Sequence, residues 1–149
     1  MKIKILIPIF NDWQSVLKLL NAIDHNISDL SHEFSVIIVN DASTHDRPEE
    51  QKDFTNIRSI KILNMKVNQG HARSIATGLK YIFEKEEFDY IIPMDGDGED
   101  RPEEIKQFIE KSLEEECIKY KELLVYSSPT RLMVFINNLA EKIKIKAKR

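Results

Sequence analysis

The chain has 149 residues, of which 42% are hydrophobic and 32% are charged, and its formal net charge is -3 at pH 7. This length suits one domain with a sizeable core, and the slightly acidic balance gives no case for nucleic-acid binding. The single cysteine excludes an internal disulfide and a zinc cluster of cysteines, which fits a reducing cytoplasm.

The start of the chain predicts a strand followed at once by a helix. Ile3, Ile5, Leu6 and Ile7 make a short run that favours a strand, and we expect this strand to end at Pro8. Asn11 is expected to cap the helix, with Gln14 three residues further on to complete the cap. The helix is predicted from apolar residues spaced three or four apart, namely Trp13, Val16, Leu17, Leu20 and Ile23.

Two more strands are predicted before the next long helix. Residues 34–39 form a continuous apolar run, as expected of a parallel strand covered on both faces. The polar residues Asn40 and Asp41 follow it directly. A short helix can start near Pro48, and residues 59–63 alternate in the manner of a third, more exposed strand.

A longer helix is predicted after Gly70 and His71. Gly78 lies inside it at a cost of about 1 kcal/mol relative to alanine, so we expect this glycine to allow close packing. A fourth strand is predicted over residues 90–94, where Pro93 cannot donate to a sheet ladder and indicates a bulge or an edge. The predicted apolar face of the helix consists of Ala72, Ile75, Ala76, Leu79, Ile82 and Phe83.

The last third of the chain predicts helix, strand and helix. Pro102 favours a helix start, with an apolar face at Ile105, Phe108, Ile109 and Leu113. Residues 123–126 predict a fifth strand, and a last helix is predicted from Arg131, with Leu132, Phe135, Ile136, Leu139 and Ile143 on one side. We therefore expect a three-layer α/β sandwich with a mostly parallel, Rossmann-like sheet over residues 1–128, and a basic amphipathic helix over residues 129–149.

Four carboxylates fall between Asp95 and Asp100, with Gly96 and Gly98 between them. Such a cluster repels itself unless a cation or a set of backbone N–H groups neutralises it. Hard oxygen ligands of this kind suit Mg²⁺ or Mn²⁺. We therefore predict a metal site facing a phosphate, because helix capping alone needs only one acid.

The polar loops after the first, second and fourth strands are expected to meet at one edge of the sheet, where ligands bind in open α/β folds. Helix capping and turn formation remain open for the first two loops. An EF-hand loop starting at Asp95 is excluded, because its sixth and twelfth positions are Asp100 and Lys106. A haloacid-dehalogenase-like phosphatase, whose first carboxylate is a nucleophile, stays as an alternative.

Four segments, in this order, resemble motifs of family 2 glycosyltransferases. Residues 7–12 are similar to the Pro-x-Tyr-Asn-Glu opening of that family, and residues 39–44 to its Asp-Asp-Gly-Ser-Thr segment. Residues 68–70 with Gly78 resemble the Asn-x-Gly helix start. Residues 94–103 resemble the Asp-x-Asp region of the polyprenyl-phosphate sugar transferase branch, and the resemblance extends from Met1 to about Leu113.

The resemblance implies a GT-A fold that binds a nucleoside-diphosphate sugar together with Mg²⁺ or Mn²⁺. It places the base and ribose against the first two loops, at Pro8, Phe10, Asn11, Asp12, Val39 and Asp41. Val39 and Asp41 would read the edge of the base.

The diphosphate side of the implied site involves the later motifs. Gly70 belongs to the helix start, and Asp95, Gly96 and Asp97 would lie by the ribose and diphosphate. Asp97 and Glu99 are the implied metal ligands, and Asp95 helps directly or through water. No catalytic residue is assigned, since the acceptor-side groups of the family come after the matched region.

The resemblance predicts transfer of sugar to a lipid phosphate or to a cell-envelope polysaccharide precursor. The alternative is a catalytically incomplete nucleotide-sugar-binding module. His71 and Arg73 either reach a phosphate or lie in a solvated first turn, and His25, His32 and His45 receive no role.

The basic end of the chain leaves its own pair of interpretations. Its lysines would lie on an anionic membrane surface, at the inner face of the membrane where lipid-phosphate acceptors are found, or on the solvated end of a packed helix. An uncovered sheet edge would favour a homodimer.

Overall fold

The computed structural model describes residues 1–47, 53–97, 101–107, 109, 123–128 and 131–136. In chain order its elements are β1 (Lys2–Ile9), α1 (Trp13–Asn26), β2 (Glu33–Asn40), β3 (Ile57–Asn64), α2 (His71–Lys85), β4 (Tyr90–Pro93), β5 (Leu123–Ser128) and β6 (Arg131–Ile136). Residues 103–107 are also helical, as the sequence predicts.

The first four strands form one parallel sheet in the order β3-β2-β1-β4. Ile9 lies level with Asn40, and Asn40 lies level with Asn64, so that three strands end in one row. β4 lies at the edge of this sheet, where Pro93 has no ladder bond to donate. The predicted α/β fold with a parallel sheet is confirmed.

Helices cover both faces of the sheet, which gives the three predicted layers. Ile3, Ile5 and Ile7 of β1 belong to the core cluster that includes the buried face of α1. Leu6 belongs to a second cluster, with the buried residues of α2. Successive side chains of a strand point to opposite faces, so a continuous apolar strand supplies both cores.

Gly78 permits the close approach of α2 to the sheet, as the sequence predicts. A Cβ atom at this position would lie 2.3 Å from Leu6 Cδ1 and 2.9 Å from Val39 Cγ2. The axis of α2 can therefore pass nearer to β1 and β2 than a larger residue would allow.

The buried stripe of α2 is narrower than predicted. The residues that face the sheet are Ser74, Ile75, Gly78 and Ile82. The prediction was wrong for Ala72, Ala76 and Phe83, which are exposed. The helix contacts the sheet along one line, so apolar residues beside that line stay in solvent, and the ring of Phe83 instead lies 5.9 Å from that of Phe88.

The prediction of a helix beginning at Arg131 was wrong, because residues 131–136 form β6. β6 pairs antiparallel with β5, with Ser128 opposite Arg131 and Leu123 opposite Ile136. A short apolar run such as Leu-Met-Val-Phe-Ile satisfies helical and strand patterns equally, and its branched and aromatic residues favour the strand.

Several predicted features lie outside the described residues. They are the short helix near Pro48, the continuation of the helix through Phe108 and Leu113, and the basic segment of residues 137–149. Within the described part of the chain, no helix is long and apolar enough to cross a membrane.

Candidate functional site

The loops after β1, β2 and β4 leave the sheet at the same edge, as predicted. Leu6 and Val39 face α2, so the alternation of side chains places Pro8 and Asp41 on the same side of the sheet. Asp95, two residues beyond the end of β4, reaches the first residue of α2 directly. The candidate site therefore lies where the first turn of α2 meets this edge.

Asp41 holds the start of α2. It is only 3% exposed, and its two carboxylate oxygens accept backbone N–H bonds of 2.8 Å each from Gln69 and Gly70. Gly70 has a φ of 87°, a left-handed conformation that glycine adopts without strain. This contact ties the end of β2 to the segment that begins α2.

His71 joins α2 to the loop after β4. Its Nε2 atom lies 3.1 Å from Asp95 Oδ1, and both side chains are about two-fifths exposed, at 41% and 40%. His71 therefore contacts the loop after β4 from the exposed first turn of α2. Arg73, in the same helical turn, is exposed.

Gly96 brings the carboxylate loop close to the end of β1. A Cβ atom at this position would lie 3.1 Å from the carbonyl oxygen of Pro8 and 3.1 Å from Val16 Cγ2. The loop therefore passes directly over β1, and Asp97 follows on its exposed side. The structure thus brings Pro8 and Gly96 together.

The carboxylates of this loop have the chemistry of a site for Mg²⁺ or Mn²⁺. Asp95 and Asp97 offer hard oxygen donors at a solvent-accessible edge. Among the described residues, no three His, Cys, Asp or Glu side chains form a group that could hold a metal. Glu99, the remaining predicted ligand, lies outside the described residues.

The cap of α1 is Asp12, one residue later than predicted. Its Oδ1 atom accepts the backbone N–H of Ser15 at 3.1 Å. Asn11 has a φ of 62°, a left-handed conformation that asparagine tolerates better than most residues but that an N-cap does not adopt.

Asn11 instead joins the loop after β1 to the loop after β2. Its side-chain oxygen accepts the backbone N–H groups of Thr44, at 2.7 Å, and His45, at 3.1 Å. Its own backbone N–H donates to Ser43 Oγ at 2.8 Å. Trp13 Nε1 donates to the carbonyl oxygen of His45 at 3.1 Å. Sequence analysis missed Ser43 and His45, since no local spacing relates them to Asn11.

The three apolar residues of the predicted base pocket differ in exposure. Phe10 is 49% exposed, and its ring is accessible at the site. Pro8 is buried. Val39 is fully buried and packs toward Gly78, so its side chain is not accessible at the site.

The sequence from residue 4 to residue 131 matches the model of glycosyl transferase family 2. The chain therefore belongs to this family, and the predicted resemblance is confirmed. This match favours the glycosyltransferase prediction over the phosphatase alternative.

Several relatives are named undecaprenyl-phosphate 4-deoxy-4-formamido-L-arabinose transferase. The protein of Aeromonas hydrophila is 25% identical over 112 residues, which are 75% of this chain and 34% of the relative. That of Pseudomonas syringae pv. syringae is 31% identical over 113 residues, covering 72% of this chain and 31% of the relative. The chain thus spans about a third of the length of these relatives.

Crystal structures of S. aureus TarS 1-349 share the fold. The complex with UDP-GlcNAc superimposes with a TM-score of 0.52 at 22% identity, over 74% of this chain and 32% of that chain. The complex with UDP gives a TM-score of 0.52 at 23% identity. This likeness confirms the GT-A fold.

Proposed function

We propose that this chain forms the donor-binding part of a glycosyltransferase that uses a nucleoside-diphosphate sugar with Mg²⁺ or Mn²⁺. The sugar passes to a lipid phosphate or to a polysaccharide precursor. The observation that carries the proposal is the meeting of three polar loops at one sheet edge, with Asp95 against the first residue of α2.

The relatives support the choice of donor and acceptor. TarS has been crystallised with UDP and with UDP-GlcNAc, and several relatives carry the name undecaprenyl-phosphate 4-deoxy-4-formamido-L-arabinose transferase. In this chain, the exposed ring of Phe10 would stack on the base, and the loop from Asp95 to Asp97 would face the diphosphate.

Asp97 and Asp95 would hold the divalent ion, with Glu99 as the further ligand that the resemblance implies. A bound divalent ion stabilises the negative charge that develops on a leaving diphosphate. The protein contributes by fixing the loop, since Gly96 lies against β1 and His71 lies against Asp95. These contacts limit the movement of the two carboxylates before a ligand arrives.

Calorimetry with UDP and GDP, with and without Mn²⁺, tests donor binding. We expect binding that requires Mn²⁺ and that falls at least about tenfold in Asp97→Ala, because a lost ligand weakens the metal site. Asp29→Ala is the matched control, since Asp29 is an exposed aspartate in the connection from α1 to β2, at the opposite edge. Metal-independent binding, or none, contradicts the proposal.

A transfer assay with UDP-GlcNAc and an undecaprenyl-phosphate acceptor separates the two candidate functions. Product formation that disappears in Asp97→Ala supports a transferase. Metal-dependent binding without transfer or hydrolysis supports the nucleotide-sugar-binding module.

A further inference from the structure

The ring of Phe10 is 49% exposed, so its direction depends on the backbone on either side of it. We infer that Asn11 is a positioning residue, which fixes the backbone after Phe10 and so holds this ring in place for a base. The inference rests on the proposed function, because it takes Phe10 as the residue that stacks on the base. Hydrogen bonds before and after Phe10 carry it.

The backbone before Phe10 is held by the sheet. Ile9 is the last residue of β1 and is only 5% exposed. It lies level with Asn40 of β2, and its carbonyl oxygen accepts the backbone N–H of Asp41 at 2.8 Å. Phe10 therefore leaves the sheet from a fixed point.

The backbone after Phe10 is held by Asn11. The φ of 62° at Asn11 turns the chain away from the line of β1. The backbone N–H of Asn11 donates to Ser43 Oγ at 2.8 Å. Its side-chain oxygen accepts the backbone N–H groups of Thr44, at 2.7 Å, and His45, at 3.1 Å. Phe10 thus lies between two anchored residues, and a side chain makes the second anchor.

The segment that receives Asn11 is itself held at two points. The backbone N–H of Ser43 donates to Asn40 Oδ1 at 3.0 Å, and Asn40 is the last residue of β2. The carbonyl oxygen of His45 accepts Nε1 of Trp13 at 3.1 Å, and Trp13 is only 6% exposed. The side-chain oxygen of Asn11 is therefore bonded to a rigid partner and can hold the turn after Phe10 still.

The consequence falls on the nucleoside part of a ligand. A ring that moves freely has to be ordered when a base stacks on it, and this ordering costs affinity. The diphosphate would face the loop from Asp95 to Asp97, which is held by the contacts of Gly96 and His71 rather than by Asn11. Loss of the Asn11 side chain should therefore weaken the binding of a base and leave the binding of a diphosphate unchanged.

The first test needs no ligand and uses Asn11→Gly. Glycine adopts the left-handed conformation without strain but offers no side-chain acceptor. We expect the NMR signals of the Phe10 ring to shift, the Thr44 and His45 amides to exchange at least about tenfold faster, and the amides of β2 to stay unchanged. Asn11→Asp keeps an acceptor oxygen and tolerates the same φ, so its Thr44 and His45 amides should exchange as in the wild type. Unchanged Phe10 signals in Asn11→Gly overturn the inference.

The second test compares uridine, UDP and inorganic pyrophosphate in the presence of Mn²⁺. We expect Asn11→Gly to weaken uridine and UDP by the same factor, about fivefold, and to leave pyrophosphate unchanged, whereas Asn11→Asp keeps the wild-type affinities. Weaker pyrophosphate binding by the same factor would show a general loosening of the site and would contradict the inference.

Asn56→Gly is the matched control for these binding measurements. The side chain of Asn56 also makes a hydrogen bond of 2.8 Å, in this case to the carbonyl oxygen of Asp24, next to the start of β3 at the opposite end of the parallel strands. Its loss removes a comparable bond far from the site, so all three affinities should stay unchanged.

A double-mutant cycle with Phe10→Ala shows whether Asn11 acts through the ring. Phe10→Ala should weaken uridine at least about tenfold, because a stacked ring is lost. The double variant should bind uridine no more weakly than Phe10→Ala does, since without the ring there is nothing for Asn11 to position. Additive losses would show that Asn11 contacts the nucleotide itself, and the inference would then be wrong.

The inference and the proposed function fail separately. If the unsubstituted chain binds neither UDP nor pyrophosphate with Mn²⁺, the proposed function is wrong, and the ligand-free NMR test still decides whether Asn11 holds Phe10.

Discussion

Two residues suit their positions for different reasons, Asn11 because of its backbone conformation and Gly78 because of its small volume. Asn11 adopts a φ of 62° and uses its side-chain oxygen to hold two N–H groups of the neighbouring loop. Alanine in its place would lose both bonds and would be strained by about 1–2 kcal/mol in the left-handed region. Gly78 lies in the core, where its small volume rather than its backbone conformation makes glycine suitable.

Gly78→Ala should destabilise the protein, although alanine is the better helix former by about 1 kcal/mol. The added Cβ would overlap Leu6 Cδ1 and Val39 Cγ2, at 2.3 and 2.9 Å, and overpacking of this kind costs about 1–3 kcal/mol. We expect a net loss of about 1 kcal/mol in the free energy of unfolding, measured by urea denaturation.

Ala76→Gly provides the matched control, because Ala76 is exposed on the same helix. It should cost about 1 kcal/mol through helix propensity alone. An increase of stability in Gly78→Ala would mean that propensity outweighs packing at this position.

At the scale of elements, a buried ion pair attaches the end of α2 to the sheet. Glu86, the residue that follows α2, pairs with Lys4 of β1 at 3.0 Å and with Lys61 of β3. The Lys4 and Glu86 side chains are 8% and 9% exposed. Burial alone would raise the pKa of Glu86, but hydrogen bonds from Lys61 and Lys4 and their charges outweigh it and lower the pKa below its ordinary value.

Glu86→Gln should lower the free energy of unfolding by about 2 kcal/mol at neutral pH, because Lys4 stays buried without its counter-charge. A lowered pKa in the folded state means that the ionised carboxylate stabilises the fold. That contribution is complete above the unfolded-state value of about 4.3 and is lost as the pH falls through the lower folded-state value. The difference between wild type and variant should therefore be constant near pH 7 and shrink under acid.

Denaturant titrations of both proteins across this pH range measure that difference. Glu87→Gln is the control, since Glu87 pairs with Lys2 but its side chain is 84% exposed, and exposed pairs contribute little. A difference that stays constant to about pH 3 would show that the ionisation of Glu86 is not its source.

At the scale of the molecule, the sequence predicts what depends on periodicity and misses what depends on distant residues. The continuous apolar run of β2 identifies a strand buried on both faces, and the parallel order then brings three loops to one edge. The contact between Lys4 and Glu86 spans 82 positions along the chain, and no local pattern relates them. The same holds for His71 and Asp95, which meet only after β4 has joined the sheet.

Sequence patterns that fit two local structures account for the other incorrect predictions. Residues 131–136 fit a helical spacing and a strand equally well, and their pairing with β5 decides between the two. The N-cap of α1 was predicted at Asn11 but is Asp12, because the sequence does not reveal the left-handed conformation of Asn11. Where a residue type is compatible with two conformations, tertiary contacts determine which of them forms.

The layered architecture predicts which strands open last. In β1 the residues from Ile3 to Ile9 are buried, and in β2 those from Phe34 to Val39, whereas β3 is only partly covered at the edge of the sheet. Opening β1 or β2 exposes both cores at once and should require global unfolding, whereas β3 can separate while the two central strands stay paired.

Amide exchange measured by NMR and corrected for intrinsic rates should therefore be slowest in β1 and β2, with β3 at least about tenfold faster. Exchange of β3 at the rate of β1 would show that the sheet opens as one unit. Opening of the central strands would affect the site directly. The loop after β2 holds the start of α2 through Asp41, and the loop after β1 is joined to the loop after β2 through Asn11. Slow opening of β1 and β2 keeps both loops in place at the candidate site.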